Sequence, residues 1–176
     1  LTAVLTKINA EDVEAVVNWS IVPAQSIVPK NMAQLGMDIP LLQSHGFGNI
    51  KYVEAAGAAA NGIIFPAGRL LVADTLPDSH AQKDVLVDYK NSYEAKYGET
   101  ASTFGGHAYD AFIIVAEALA NVDEVSREAL RDAIEDISGL PGTGGVFDFS
   151  ATDHNGLGMD SLEVLTVVDG EFALYK

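Results

Sequence analysis

Apolar residues fall at Leu1, Val4, Leu5 and Ile8, the i, i+3, i+4, i+7 spacing of one helical face, with no capping side chain ahead of them. The pattern predicts the back half of a helix. With no initiating methionine and no basic-then-apolar leader, it also predicts that the chain is a fragment. A β-rich apolar run at 14–19 comes next. Pro23 then opens a helical stretch to Leu35, stopped by Gly36, and Pro29 inside it should kink or shorten the helix. Residues 39–43 form a second strand candidate, 44–48 a glycine-containing loop, 49–56 a short helix and 62–65 a third strand. Strand, helix, strand, helix, strand predicts a parallel α/β sheet.

Behind Phe65 the rhythm changes. Residues 66–77 read as a long irregular connection, followed by three helices with no strand between them, at 81–97, 106–121 and 126–137. The first carries Val85, Tyr89, Tyr93 and Tyr97 along one face. The second is nearly apolar over 108–120 and is expected to be buried on most sides. Such helices need a flat hydrophobic surface to cover. Residues 142–150 read as a turn-rich approach to a short strand, and the chain closes in a hairpin, 162–168 and 171–175. Asp169-Gly170 supplies the two positive-φ residues of its type I′ turn.

Composition narrows the function. The 176 residues carry 10 Lys+Arg against 25 Asp+Glu, so the formal net charge is 10 − 25 = −15, which disfavours nucleic acid and anionic membrane surfaces as partners. Hydrophobic residues make up 48%, so the chain should fold, and its length alone allows one self-sufficient core. No uncharged window is long enough for a membrane span. There is no cysteine, which removes disulfides and thiolate chemistry.

Reactive chemistry finds little support. Ser44 and His45 are sequence neighbours with no nucleophile elbow around them. The four histidines, His45, His80, His107 and His154, lack metal-ligand spacing, so no metal and no cofactor is expected. Placing Gly156 at the sixth position of a calcium loop puts Ala151 and Leu162 where carboxylates are required. Gly142-Thr-Gly-Gly145 has Phe147 where a dinucleotide fingerprint needs glycine, and a strand follows, so it reads as a turn. The acidic stretch 123–136, interrupted by Arg127 and Arg131, reads as a solvated helix face. What remains is the set of loops at the carboxyl ends of the parallel strands: Trp19, Ser20 and Ile21; Ser44, His45, Gly46 and Phe47; Pro66, Ala67 and Gly68. Their convergence would suit a small polar or aromatic solute, the alternative being that Trp19 and Phe47 cap a core.

Six motifs in order, Ser44-His-Gly-Phe47, Glu54-Ala-Ala-Gly-Ala-Ala-Ala-Asn-Gly62, Phe65-Pro-Ala-Gly68, Tyr93-Glu-Ala-Lys-Tyr-Gly98, Gly106-His-Ala-Tyr-Asp-Ala111 and Gly142-Thr-Gly-Gly-Val-Phe147, carry a resemblance over essentially the whole chain. The sequence resembles the C-terminal half of the branched-chain amino acid-type (type 1) periplasmic solute-binding proteins of ABC transporters. The resemblance implies an α/β fold of Rossmann-like parallel-sheet lobes, incomplete in this fragment. Residues 1–65 would belong to the second lobe. Residues 66–157 would be first-lobe helices and a return strand, with their sheet largely upstream, and 158–176 the second lobe's terminal hairpin. It further implies a non-enzymatic protein, periplasmic or extracellular and held at the membrane through a permease or lipid anchor. That protein would close on a small amino acid or organic or aromatic acid and deliver it to an ABC permease.

By the same resemblance Pro66, Ala67 and Gly68 take part in a hinge. In members that bind amino acids, the loop matching 44–47 supplies a carboxylate to the ligand ammonium and the loop matching 19–21 an aromatic hydroxyl. His45 and Ile21 stand in those places here, which makes an aromatic or other organic acid a rival to an aliphatic α-amino acid, with His45 as donor and Trp19 or Phe47 as a stacking surface. The expected ligand residues are thus Trp19, Ser20, Ile21, Ser44, His45, Gly46, Phe47, Pro66 and Ala67. The alternatives are the ligand-sensing domain of a receptor with the same fold, or an α/β hydrolase-like enzyme dependent on Ser44. A fragment lacking its first-lobe sheet should expose its apolar helix faces or cover them by self-association.

Overall fold

Helix α1 (Thr2–Asn9) buries only Leu5 of its predicted apolar face, leaving Ile8 half-buried and Leu1 and Val4 exposed. The computed structural model describes residues 1–176. After β1 (Val16–Asn18) a 3₁₀ turn over Pro23–Ser26 leads into α2 (Ile27–Gln34). Pro29 is the third residue of α2, in the first turn, where a missing N–H breaks no intrahelical bond. Proline therefore shortens the predicted helix and does not kink it. Strand β2 (Leu41–Gln43), a 3₁₀ turn at His45–Phe47, α3 (Ile50–Ala56), a second 3₁₀ turn at Gly57–Ala60 and β3 (Ile64–Gly68) follow. The side chain of Asn49 caps α3 by accepting from Lys51 N. The third strand differs from its sequence reading: it takes in Pro66, Ala67 and Gly68, which turn chemistry had assigned to a loop. The fixed φ of proline is compatible with extended backbone, and its only cost there is one ladder donor.

Two compact units make up the chain: Leu1–Ala67 with Glu163–Lys176, and the inserted Gly68–Leu162. In the inserted unit a run of 3₁₀ turns (Arg69–Thr75), broken at Val72, precedes α4 (Lys83–Tyr97), which Gly98 ends in the left-handed region at φ 67°. Ser102 caps α5 (Thr103–Ala120) and Ser126 caps α6 (Arg127–Glu135), each hydroxyl accepting a backbone N–H three residues on. Strands β4 (Leu140–Pro141) and β5 (Val146–Phe147) pair antiparallel. Leu70, Ala73 and Leu86 form a buried cluster with Leu76, Val85 and Tyr89 against it. Tyr89, Tyr93 and Tyr97 follow one another along α4 with ring centroids 5.8 and 4.8 Å apart, and Tyr109 of α5 lies 5.0 Å from Tyr89.

The expectation that α5 is buried on most sides is not met. Phe112 is 77% exposed, and Phe104, Tyr109, Val115 and Leu119 also face outward. The inserted unit's sheet has only two short strands, so it offers no flat surface to cover this helix. No helix is long and apolar enough to cross a membrane.

The chain returns through β6 (Leu162–Val168) and β7 (Glu171–Leu174), an antiparallel hairpin turning on Asp169 (φ 52°) and Gly170 (φ 84°), both in the region a type I′ turn requires. The five-stranded sheet runs β1-β2-β3-β6-β7. β1 pairs parallel with β2 in the register Val16 to Leu41, Val17 to Leu42, Asn18 to Gln43, and β2 pairs parallel with β3. Phe65 sits at the centre of this core, edge-on to Phe47 at 5.4 Å and to Phe172 at 5.5 Å, with Ile63, Val53, Leu165 and Val167 buried around it.

Candidate functional site

At the carboxyl ends of β1 and β2 two loops are locked together from below. Ser44 is fully buried; its Oγ donates to Ser20 O and accepts from Ser20 N at 3.3 Å, while Ser44 N donates to Asn18 O at 3.2 Å. Gly46 permits the close approach, since a Cβ there would lie 2.7 Å from Ser20 O and 2.8 Å from Ile21 Cγ2. Behind them runs a buried amide chain. Asn18 Nδ2 donates to Gln43 Oε1 at 2.7 Å, Gln43 Nε2 to Gln25 O at 3.2 Å, and Gln25 Nε2 to Gly46 O at 3.0 Å. Gln25 is 1% exposed and its Oε1 has no protein partner, a lapse that costs about 1–3 kcal/mol at a buried position.

On this platform Trp19 is 75% exposed and His45 is exposed beside it, the two rings meeting edge to face with centroids 6.1 Å apart. Ile21 is exposed and Ser20 half-buried at the same rim. The rim carries an indole face, an imidazole and aliphatic surface, and none of its residues is a carboxylate. This arrangement can stack a planar group and donate to, or accept from, one polar atom.

Two expected ligand side chains have other work. The Phe47 ring is wholly buried against Phe65 and Tyr52, so it is core and not a stacking surface. An aromatic residue in a loop gives no sign from sequence of which way it turns. The Ser44 hydroxyl bonds the Ser20 backbone and not an imidazole, which removes it both as a ligand contact and as a nucleophile. Gly46 contributes backbone packing, and Pro66 (half-buried) and Ala67 (buried) lie in β3. Gln25, Gln43 and Asn18 were missed, because nothing in hydrophobic periodicity distinguishes a buried glutamine from a solvated one.

The inserted unit contains a second polar cluster, also missed. Asp110, 2% exposed within apolar α5, accepts from Thr143 N at 2.6 Å, Gly144 N at 2.7 Å and Thr143 Oγ1 at 3.0 Å. Successive backbone N–H groups make Gly142-Thr-Gly-Gly145 an anion cradle after all, but its anion is the protein's own carboxylate. A Cβ on Gly142 would lie 2.9 Å from Asp110 Oδ1 and one on Gly106 2.5 Å from Thr143 Oγ1, so glycine is required at both. Gln82 Nε2 donates to Gly142 O at 2.8 Å and supports the turn from the other side. Nearby, burial and then the Tyr93 and Asp110 charges push the Tyr89 phenol above its ordinary pKa. No group of three or more His, Asp or Glu side chains converges as a metal site.

The sequence profile of a family described as periplasmic binding protein matches residues 1–171. A search of curated protein sequences gives no match. Among solved structures, Rp1789 of Rhodopseudomonas palustris CGA009 is 28% identical with a TM-score of 0.89, over 100% of this chain and 52% of that one. An extracellular ligand-binding receptor from Rhodopseudomonas palustris is 27% identical with a TM-score of 0.91, over 100% and 51% of the two chains. The branched-chain amino acid transporter substrate binding protein LivJ of Streptococcus pneumoniae, solved with isoleucine, is 25% identical with a TM-score of 0.79, over 97% and 46%. The chain thus spans about half the length of these relatives.

Proposed function

The chain belongs to the periplasmic binding protein family, and on that premise we propose that it is part of an extracytoplasmic solute-binding protein in which Trp19 and His45 form one wall of the solute site. The carrying observation is the exposed Trp19–His45 pair, held on a rigid platform at the strand ends and free of any carboxylate. An α-amino acid needs an anion for its ammonium, and this rim supplies none. An organic acid with a planar apolar body fits it better: the indole stacks on the body and the imidazole donates to the carboxylate.

The solute would be carried to an ABC permease in the membrane, with Pro66, Ala67 and Gly68 taking part in the hinge of lobe closure. The outward apolar face of α5 supports the same reading. It calls for a flat apolar partner, which the other half of the relatives' fold would supply.

Trp19 is the single tryptophan of these 176 residues, and comparison with Trp19→Phe isolates its emission, which reports the wall. In the protein carrying this chain, benzoate should perturb Trp19 emission and raise the melting temperature more than leucine does. His45→Ala should weaken benzoate binding about tenfold or more, as expected for loss of one hydrogen bond to a charged group. Stronger stabilisation by leucine, unaffected by His45→Ala, would refute the assignment.

A further inference from the structure

We propose that Gln25 is a positioning residue whose buried amide fixes the His45 turn so that the imidazole stays against Trp19. The inference rests on the reading above only in taking Trp19 and His45 as the pair that meets the solute.

The 3₁₀ turn at His45–Phe47 has local bonds of its own, Phe47 N to Ser44 O at 3.0 Å and Gly48 N to His45 O at 3.1 Å, which set its shape. They do not set where the turn sits relative to the loop after β1. That is decided by attachments on either side of His45: Ser44 to Ser20 before it, and the Gln25 amide on Gly46 O after it. Gln25 is itself held, because its carbonyl accepts from Gln43, whose own amide oxygen accepts from Asn18 of β1. The chain of amides therefore connects the strand that leads to Trp19 with the turn that carries His45.

The amide is an expensive choice for packing alone. Gln25 Oε1 is buried without a protein partner, and rotating the amide would point that oxygen at Gly46 O, setting two acceptors face to face. A leucine or methionine would remove the stranded Oε1 at the cost of the donor to the buried Gly46 O, so the amide brings no net gain in packing over them. A glutamine kept at such a cost is explained by what its donor holds, and what it holds is the residue after His45.

The test is a coupling measured through the Trp19 lifetime in the full-length protein, with Trp19→Phe subtracted to isolate that residue's signal. Single variants Gln25→Leu and His45→Ala and the double variant are compared, with Gln25→Met as a second, unbranched replacement. In the wild-type background His45→Ala should change the Trp19 lifetime; in the Gln25→Leu or Gln25→Met background that change should be largely lost. The melting temperature of both Gln25 variants should stay close to that of wild type, the relief of the stranded Oε1 offsetting the donor lost to Gly46 O. Retention of the full His45 effect in both backgrounds overturns the proposal, as does failure of both variants to fold, since the amide would then serve stability. Loss of the coupling in a protein that binds no carboxylate would sink the ligand reading and leave the positioning role standing.

Discussion

Truncating Asp110 to alanine isolates the carboxylate cradle of the inserted unit. The substitution removes the acceptor of two buried backbone donors, Thr143 N and Gly144 N, and of the Thr143 hydroxyl. The hydroxyl can rotate, but the two N–H groups sit on a glycine turn pressed against α5 and cannot. At roughly 1–3 kcal/mol for each stranded donor the loss is about 2–6 kcal/mol, centred near 4. For a chain of this size about 2–4 °C accompanies each kcal/mol, so the melting transition should fall by roughly 8–16 °C. Asp110→Asn keeps the shape and one acceptor but turns an NH₂ toward a donor, so it should fall between the two. Far-ultraviolet circular dichroism follows all the helices, the longest of which, α4 and α5, lie in the inserted unit, while Trp19 emission reports on the other unit. An Asp110→Ala melt within about 2 °C of wild type would refute the idea that this carboxylate holds the turn.

Two further outcomes are expected. Gly46→Ala would force a methyl within 2.7 Å of Ser20 O and 2.8 Å of Ile21 Cγ2; overpacking of this kind costs about 1–3 kcal/mol, and both the urea midpoint and Trp19 emission should shift together. Hydrogen bonds from Ser138 Oγ and Gly139 N hold the Asp148 carboxyl below its ordinary pKa, so the folded state binds fewer protons than the unfolded one on the acid side. Its contribution is complete above the unfolded carboxylate range and is lost as pH falls through the folded value. Asp148→Asn should therefore flatten the acid limb of stability against pH, measured by urea unfolding at neutral and acidic pH.

What the sequence could disclose was whatever is decided locally or by one-sided burial. Asp169-Gly170 announced its hairpin because only a few residue types accept positive φ twice in succession, and the alternation of strand and helix up to Phe65 implied parallel pairing. Pro66-Ala-Gly68 misled, because turn-forming residues also tolerate extended backbone when neighbouring strands hold them. Trp19 and His45 stand exposed at the strand ends where the reading put them, but Phe47 in the same loops faces inward, a distinction made only by the packing of Phe65. Gln25 and Asp110 were invisible for the opposite reason. A polar residue in an apolar pattern is read as facing water, and only the partner across the fold, Gly46 or the 142–145 turn, reveals that each faces inward. The outward apolar residues of α5 show the reverse failure, since hydrophobicity states a need for cover and says nothing of whether a nearby element meets it.

The insertion of Gly68–Leu162 between β3 and β6, neighbours in one sheet, has a consequence for vectorial synthesis. As the chain leaves the ribosome, β1, β2 and β3 can assemble early, but β3 then waits with one edge open until the whole inserted unit has been made. Only when β6 emerges can Gly62 N find Val167 O and Phe65 find Phe172. The hairpin that follows the insertion thus completes the sheet begun before it, which leaves the edge of β3 open to wrong pairing until then.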